Sequence, residues 1–230
     1  MLALLLLYAY LIGSVPTAYI IGRLVKGIDI RQVGSGTVGG SNVWFHVGKL
    51  WVVPLGLFEI FVKGASPVWI GHYALGYELP SVPLVAAGLL SVVGHNWSLF
   101  LRFAGGRGIA PMVGVLFALA PWLLAAFVLV AVAGWVLTRS AALWVIISLA
   151  LLPLWSLLLS LLRGQTWVIL WFSLVLLGIV ILKRLLANWS APPAGLPWAR
   201  VLLYRLLYDR DTRARDEWVY RQSPGMPQGG

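Results

Sequence analysis

The sequence has no cysteine and only three histidines, at positions 46, 72 and 95. The lack of cysteine excludes disulfides, thiolate nucleophiles and cysteine-ligated metals. The histidines stand too far apart for a helical His-x-x-x-His zinc site. We therefore expect no metal site and no cofactor.

Charged side chains are also scarce. Asp, Glu, Lys and Arg make up 10% of the 230 residues, 60% are hydrophobic, and the mean hydropathy is +0.90. These values lie well outside the range of soluble globular domains. They predict an all-α integral membrane protein. The first residues, MLALLLLYAYLIGSVP, have no basic n-region and no small-x-small cleavage site, so we interpret them as a first membrane helix.

Acidic residues are the rarest charged type, with seven Asp and Glu against 17 Lys and Arg and a net charge of +10. In a membrane protein, such an excess of Lys and Arg is typical of cytoplasmic loops and of contacts with anionic headgroups. It therefore does not predict nucleic acid as a partner. Basic residues cluster in the first, third and fifth connections and in the tail. The positive-inside rule then predicts that the N-terminus lies outside and the C-terminus in the cytoplasm.

Long apolar runs predict about seven transmembrane helices. They lie near residues 2–24, 49–73, 81–102, 108–120, 122–138, 141–162 and 166–187. The count falls to five if the segments around Pro111, Pro121 and Trp122 form one broken helix. Residues 1–190 are predicted to form a polytopic transmembrane domain, and 191–230 a cytoplasmic tail with an interfacial amphipathic helix, because APPAGLP at 191–197 ends any preceding helix.

The first connection, DIRQVGSGTVGGSNVWF at 29–45, concentrates polar residues in an otherwise apolar chain. Its glycines permit tight turns that aim successive N–H groups at one point, with hydroxyl and amide groups between them. This pattern predicts a phosphate site, although glycines at membrane helix ends also allow close helix packing. The candidate residues are Arg31, Gly34, Ser35, Gly36, Thr37, Gly39, Ser41 and Asn42.

A second glycine-rich connection, GHNWSLFLRFAGGRGIA at 94–110, points to the same chemistry. Gly105, Gly106, Arg107 and Gly108 open a helix, where free amides, the positive dipole end and a guanidinium favour an anion. Arg102 precedes this loop and could equally contact lipid headgroups. The predicted topology places both connections on the cytoplasmic side, so they are expected to form one site for one or two phosphorylated ligands.

One histidine and two charged pairs are interpreted as structural residues or as candidates for the site. His95 is a candidate base, but a histidine next to a membrane helix end is more often a hydrogen-bonded structural residue. Glu59 and Lys63, four residues apart, are expected to neutralise each other inside the membrane. Asp29 and Arg31 form a candidate pair that fixes the loop.

These residues resemble the motifs of the PlsY family, bacterial membrane acyltransferases that move an acyl chain from acyl-phosphate to glycerol 3-phosphate. Residues 13–43 resemble the family's first motif, 94–110 its second, and Glu59, Lys63 and Gly64 its acidic-x-x-x-Lys-Gly pattern. The resemblance places Ser35 at the family's essential serine. It implies that Gly36, Ser41 and Asn42 surround the acyl-phosphate and that Gly105, Gly106, Arg107 and Gly108 bind glycerol 3-phosphate.

The chain departs from that family pattern at several positions. Thr37 stands where an asparagine is usual, Phe45 where an arginine is usual, and Arg107 where a lysine is usual. The family's third motif, a histidine and an asparagine three residues apart followed by an acidic residue, keeps only Asn188 here, beside Lys183 and Arg184. Asn188 is therefore carried as a further candidate substrate-binding residue.

The resemblance implies transfer of an acyl group from acyl-phosphate to the sn-1 hydroxyl of glycerol 3-phosphate, giving lysophosphatidic acid and phosphate for phospholipid biosynthesis. Ser35, Arg107 and His95 are the candidate catalytic residues. The expected setting is a multi-pass monomer among the lipids of a bacterial cell membrane, with its active site facing the cytoplasm. The alternatives are a diverged family member with an altered donor or no activity, and a transporter of a phosphorylated solute.

Overall fold

The computed structural model describes residues 1–163, 167–187, 196–213 and 218–219, and the regular structure of these residues is helical. The predicted all-α membrane architecture is confirmed. The α-helices of the described residues, in chain order, are α1 (Leu2–Ser14), α2 (Thr17–Lys26), α3 (Gly40–His46), α4 (Val52–Leu57), α5 (Ser66–Trp69), α6 (Val82–Asn96), α7 (Ile109–Leu119), α8 (Pro121–Thr138), α9 (Ala141–Arg163), α10 (Trp167–Leu186) and α11 (Trp198–Tyr208).

Among the described residues, six helical segments are long and apolar enough to cross a membrane. They are Leu2–Lys26, Lys49–Ala74, Val82–Leu101, Pro121–Thr138, Ala141–Leu162 and Trp167–Leu186. The remaining predicted segment, 108–120, is α7, which is apolar but has 11 residues, fewer than the roughly 20 that one crossing needs. Ala120, with φ −153° and ψ 71°, separates α7 from α8, so the two form consecutive helices. The number of crossings and the side of each terminus stay predictions.

The short helix α7 packs closely on the second span, which is π-helical from Phe58 to Ala65. A Cβ on Gly114 would lie 1.8 Å from the Ile60 carbonyl oxygen, and one on Gly64 would lie 2.8 Å from the Gly114 Cα. Only glycines allow the two backbones to approach this closely, as is common at membrane helix interfaces. The contact fixes α7, and the glycine loop that precedes it, against the π-helical segment.

Helices α1 and α6 make a second close contact. A Cβ on Gly94 would lie 2.3 Å from the Tyr10 carbonyl oxygen, and one on Gly13 would lie 2.2 Å from the Ser91 carbonyl oxygen. Beyond this crossing the Tyr10 hydroxyl donates to the Trp97 carbonyl oxygen over 3.0 Å. The end of α6, where the second glycine-rich connection starts, is thereby tied to α1.

The main core lies between helices α6 to α10. Its fully buried side chains include Leu84, Met112, Leu116, Leu149 and Phe172. Burying apolar side chains between helices does not gain much from solvent exclusion in a lipid bilayer, so close packing and hydrogen bonds between helices have to hold this bundle together.

Helix α11 lies in the predicted tail and packs on the bundle, while its place in the membrane interface stays a prediction. Val201 and Arg205 are buried on its inner face, whereas Trp198 and Leu203 are exposed on the other. Arg205 Nη1 donates to the Leu185 carbonyl oxygen over 2.9 Å. The tail is thus attached to the end of α10, close to both glycine-rich connections. The boundary between a transmembrane domain and a tail at residue 190 stays a prediction.

Candidate active site

The first glycine-rich connection folds around the side chain of Asn42. The Asn42 Nδ2 group lies 2.8 Å from the Ile30 carbonyl oxygen, 3.0 Å from that of Val33 and 3.2 Å from that of Thr37, and it donates to all three. Asn42 is buried, with 3% of its surface exposed. A buried amide with its hydrogens committed to three carbonyls holds the loop in shape. The role of Asn42 in the site is therefore to position its neighbours.

Two glycines of this loop adopt backbone angles that other residues rarely adopt. Gly34 has φ +55° and Gly36 has φ +67°. A Cβ on Gly34 would also lie 2.5 Å from both Asn42 Oδ1 and His46 Nε2, so glycine is required by space as well as by conformation. Between them, Ser35 turns towards an open cavity, and its hydroxyl lies 2.7 Å from that of Thr37 in a hydrogen bond.

Arg31 forms the predicted loop-fixing pair with Asp29. The Arg31 Nη2 donates to Asp29 Oδ2 over 2.6 Å, and its Nε donates to Oδ1 over 3.0 Å. Burial alone would raise the pKa of Asp29, but the hydrogen bonds and positive charge of Arg31 outweigh it and hold that pKa below its usual value. The same pairing raises the pKa of Arg31. Arg31 therefore shapes the loop and does not line the cavity beside Ser35.

The two glycine-rich connections meet at one end of the bundle. The Val38 amide donates to the Gly105 carbonyl oxygen over 3.4 Å, and the Gly106 amide donates to the His95 carbonyl oxygen over 3.1 Å. A Cβ on Gly105 would lie 2.3 Å from that same His95 oxygen. The contact requires both connections to lie on the same side of any membrane that the bundle crosses, as the sequence predicts.

A buried ionic cluster lies beneath this junction. Lys63 Nζ donates to Glu59 Oε1 over 2.6 Å, and His95 Nδ1 lies 2.7 Å from Glu59 Oε2. The predicted neutralisation of Glu59 by Lys63 is confirmed. The cluster borders a small space of about 10 Å³, which is room for about one water molecule. It has no room for a substrate, so the geometry favours the structural alternative for His95.

The residue on the free side of the His95 ring is Gly106. A Cβ there would lie 2.1 Å from His95 Nε2 and 2.7 Å from the Val38 carbonyl oxygen. Glu59 holds one edge of the imidazole while the second glycine loop packs on the other. The buried cluster fixes the His95 ring, and the ring in turn limits where the second glycine loop can lie.

We predict that Gly106→Ala displaces this loop, because the added Cβ would overlap the His95 ring, which Glu59 holds, and the Val38 backbone. The expected result is a KM for glycerol 3-phosphate raised by about tenfold or more, with a smaller change in kcat. Steady-state kinetics of the protein in lipid would measure both constants. Gly178→Ala is the matched control, since a Cβ at Gly178 meets nothing within 4 Å. An unchanged KM in Gly106→Ala would contradict the assigned packing.

A cavity of about 420 Å³ opens beside Ser35, within the size range of small-molecule sites. Its walls come from the first glycine-rich connection, the α8–α9 turn, the end of α10 and the tail. The lining residues are Ser35, Thr37, Ser41, Asn42, Phe45, Ile109, Trp135, Arg139, Ser140, Ala141, Ala142, Val145, Arg184, Tyr208, Asp209, Arg210, Trp218 and Val219. Hydroxyls and guanidinium groups face apolar side chains across this space, so it suits an amphipathic anion.

Three arginines on the cavity wall were not predicted as site residues. Arg139 follows α8, Arg184 ends α10, and Arg210 follows α11. Arg184 is buried, and its guanidinium donates to the carbonyl oxygens of Leu206 over 2.7 Å and Ala142 over 3.1 Å. In the sequence, Arg184 stands near Asn188 at the place of the family's third motif. Arg139 and Arg210 are marked only by their position after helices, which is also where lipid-facing arginines occur.

The remaining predicted residues are placed as follows. Arg107 is 9% exposed and is not among the residues that line the cavity. Its Nη1 donates to the Lys183 carbonyl oxygen over 2.8 Å. Gly108 begins α7 with φ +76°. Arg102 is exposed and away from the cavity lining, consistent with the headgroup alternative. Gly39 precedes α3. Asn188 lies outside the described residues.

Comparison with known proteins gives consistent results. Residues 3–190 match the family model for glycerol-3-phosphate acyltransferase. Glycerol-3-phosphate acyltransferase 4 of Dehalococcoides mccartyi (strain CBDB1) is 35% identical over 222 residues, which are 96% of this chain and 94% of the relative. Glycerol-3-phosphate acyltransferase 2 of Moorella thermoacetica is 43% identical over 151 residues, covering 65% of this chain and 75% of that protein.

The fold matches as well. The crystal structure of PlsY, an integral membrane glycerol 3-phosphate acyltransferase, superposes in its glycerol 3-phosphate form with a TM-score of 0.69 and 31% identity, over 80% of this chain and 88% of that one. The lysophosphatidic acid form gives a TM-score of 0.68 and 30% identity over 80% and 87%. With motifs, fold and sequence in agreement, this chain belongs to the glycerol-3-phosphate acyltransferase family of integral membrane proteins.

Proposed function

We propose that the protein transfers an acyl group from acyl-phosphate to the sn-1 hydroxyl of glycerol 3-phosphate, giving lysophosphatidic acid and inorganic phosphate. The names of its relatives and the ligands of the two PlsY structures support the acceptor and the product. The observation that carries the proposal has two parts: Ser35, Thr37 and basic side chains line one cavity, and Val38, which follows Thr37, contacts Gly105 of the second glycine-rich connection.

The reaction needs little from the protein except placement and charge. An acyl-phosphate is a mixed anhydride, so the acceptor oxygen forms a bond to the carbonyl carbon while the carbon–oxygen bond to phosphate breaks. The hydroxyl proton leaves with the phosphate. Holding both substrates in contact and stabilising the negative charge on the carbonyl oxygen and the departing phosphate supply most of the rate enhancement.

Ser35 is assigned to the donor phosphate as a hydrogen-bonding group. Its hydroxyl lies in the cavity wall and is hydrogen-bonded to that of Thr37. A serine nucleophile requires an adjacent base, but His95 is engaged by Glu59 and borders a different, much smaller space. Ser35 and Thr37 together can donate to two phosphate oxygens without forming an acyl-enzyme.

Phe45 gives the cavity an uncharged wall at the position where the family pattern has an arginine. Positive charge enters the same cavity from Arg139 and Arg184, which belong to other elements. Both guanidinium groups can attract a phosphate without a cation on the first connection. This arrangement supports retained use of an anionic donor over loss of activity.

The bilayer separates the two parts of each lipid substrate. Apolar side chains such as Trp135 and Val145 line the cavity on the side of α8 and α9, and the acyl chain would lie along these helices. The phosphates would remain at the basic end of the bundle. The positive-inside rule places this end in the cytoplasm, and we assign the active site to that face of a bacterial membrane, in a monomer.

A donor comparison tests the proposal. Purified protein in lipid is expected to convert glycerol 3-phosphate to lysophosphatidic acid with acyl-phosphate and to release one phosphate for each product molecule. Acyl-CoA should give no product, because its acyl carbon carries a thiol leaving group and no phosphate for Ser35, Thr37 and the cavity arginines to bind. Product formed from acyl-CoA alone would establish the altered-donor alternative, and no product from either donor would contradict the proposed function.

A further inference from the structure

The segment beyond the family match forms a wall of the candidate active site. The match ends at residue 190, yet Tyr208, Asp209, Arg210, Trp218 and Val219 all line the cavity beside Ser35. The sequence predicts this segment only as a cytoplasmic tail with an interfacial helix, without a part in the site. Its position gives it direct access to any ligand in the cavity.

One polar contact closes a turn within this segment, and another joins the segment to the rest of the molecule. Arg205 of α11 lies 2.5 Å from Asp211 in a buried ion pair, which closes the turn after the helix. His46 Nε2 lies at hydrogen-bonding distance, 2.9 Å, from the Val219 carbonyl oxygen, which joins the far end of the segment to the first glycine-rich connection. Asp209 lies in the chain between Arg205 and Asp211, within the turn that their ion pair closes.

Asp209 forms an ion pair with Arg107 of the second glycine loop. Arg107 Nε and Asp209 Oδ1 lie 2.8 Å apart, but their alignment does not make a hydrogen bond, so both buried atoms keep unused hydrogen-bonding capacity. The other end of the guanidinium is bound to the Lys183 carbonyl oxygen. Asp209 lines the cavity beside Ser35, whereas Arg107 is not among its lining residues in this arrangement.

From this geometry we infer that Asp209 is a specificity-determining residue, whose carboxylate occupies the position that a substrate phosphate takes on Arg107. The inference rests on the proposed function, because it names how one of its two phosphates is admitted. A ligand reaches Arg107 by replacing Asp209. An anion that cannot outcompete a built-in carboxylate is excluded.

A phosphate monoester has the chemistry to win this exchange. It carries a charge of about −1.5 to −2 at neutral pH and three acceptor oxygens, and an arginine fork binds such oxygens with paired hydrogen bonds. Asp209 offers one negative charge and a misaligned oxygen. A single carboxylate offers Arg107 no more charge than Asp209 does, and neutral glycerol offers none, so neither binds by replacing Asp209. The ion pair therefore favours a phosphorylated acceptor.

The test compares wild-type protein with Asp209→Asn, both full-length and in lipid. Asp209 has φ +57°, a conformation that asparagine tolerates as well as aspartate, so the backbone is retained. Asp209→Glu keeps the charge. Glu78→Gln is the matched control, because Glu78 is exposed in a different connection and its substitution removes the same charge. Each protein is titrated with inorganic phosphate by thermal shift and assayed for the KM of glycerol 3-phosphate.

Removing the competing carboxylate is expected to lower both the apparent Kd for inorganic phosphate and the KM for glycerol 3-phosphate by about tenfold, or about 1.4 kcal/mol. Glu78→Gln should match the wild type. The effect should vanish in an Arg107→Ala background, since Asp209 acts through Arg107. An Asp209→Asn protein that binds phosphate no more tightly, or more weakly, overturns the inference.

The binding measurement separates this inference from the proposed function. A wild-type protein that forms no lysophosphatidic acid but binds phosphate about tenfold more tightly as Asp209→Asn would contradict the proposed reaction and support the role of Asp209. Normal turnover with equal phosphate affinity in both proteins would support the reaction and refute that role. Acetate, which carries one carboxylate as Asp209 does, should compete with phosphate only in Asp209→Asn, and equal competition in the wild type would also refute that role.

Discussion

Substituting Ser35 by alanine is expected to lower kcat/KM for lysophosphatidic acid formation by about a hundredfold, the usual cost of removing one aligned hydrogen-bond donor from charge that develops in a transition state. The Ser35 hydroxyl lines the cavity and is hydrogen-bonded to Thr37, so its loss removes one donor and leaves the other without its partner. Phosphate release and product formation with acyl-phosphate as the donor would measure the change.

The folded state should tolerate this substitution. Ser35 is only partly buried, and the loop is held by Asn42 and its three carbonyl partners. The Tm of Ser35→Ala should therefore stay within about 2 °C of the wild type, since surface substitutions change stability by about 0.5 kcal/mol or less. Ser160→Ala is the matched control, because Ser160 donates only to the Ser156 carbonyl oxygen within its own helix.

Two results would contradict the role of Ser35. Wild-type turnover in Ser35→Ala would remove the hydroxyl from the reaction. A stable acyl-enzyme on Ser35, seen by intact-protein mass spectrometry after mixing with acyl-phosphate alone, would make it a covalent nucleophile instead. We expect an unmodified mass with the donor alone and product only after glycerol 3-phosphate is added.

The parts of the site that the sequence predicted depend on short stretches of chain. The glycine pattern of the first connection required left-handed turns, and Gly34 and Gly36 adopt them. The spacing of Glu59 and Lys63 put them on one helix face, and they pair at 2.6 Å. Such features could be predicted because the interacting groups lie within one turn or one helix, where local geometry decides the contact.

The parts that the sequence missed depend on contacts between distant segments. Arg184 reaches the cavity because α9 and α11 supply carbonyl acceptors 42 and 22 residues away. The partner of Arg107 is Asp209, about a hundred residues further along the chain. Nothing in the local sequence distinguishes these basic residues from those that contact lipid headgroups, so only the packed structure reveals which arginines line the cavity.

The sequence predicts the bounds of α7 closely, as 108–120 against Ile109–Leu119, but hydropathy counts it as a transmembrane helix although 11 residues are fewer than one crossing needs. Its residues are apolar enough to predict a membrane helix, but the preceding loop ends at Gly108 and Ala120 interrupts the helix after 11 residues. The short helix is accommodated by the glycine contact with the π-helical segment around Glu59 and Lys63. The same π-helical segment therefore supports both the helix that follows the second glycine loop and the ionic cluster beneath it.

The second large effect is expected for Glu59→Gln. This substitution keeps the shape of the side chain but leaves the Lys63 charge, 1% exposed, without its counter-ion. Breaking a buried ion pair by removing one partner costs about 3–5 kcal/mol, and the Tm should fall by on the order of 10 °C. Thermal unfolding of the protein in lipid, followed by the near-UV signal of its tryptophans, would measure the change.

A double-mutant cycle identifies the cause of that loss. Lys63→Met should also destabilise the protein, but Glu59→Gln combined with Lys63→Met should recover much of the Tm, because no unpaired charge then remains. The recovered protein should still show a raised KM for glycerol 3-phosphate, since His95 loses the carboxylate that fixes its ring beside Gly106. Glu78→Gln should leave both Tm and KM unchanged. If the two single losses instead add up in the double variant, Glu59 and Lys63 do not act as a pair, and the cluster cannot be what holds the second glycine loop in place.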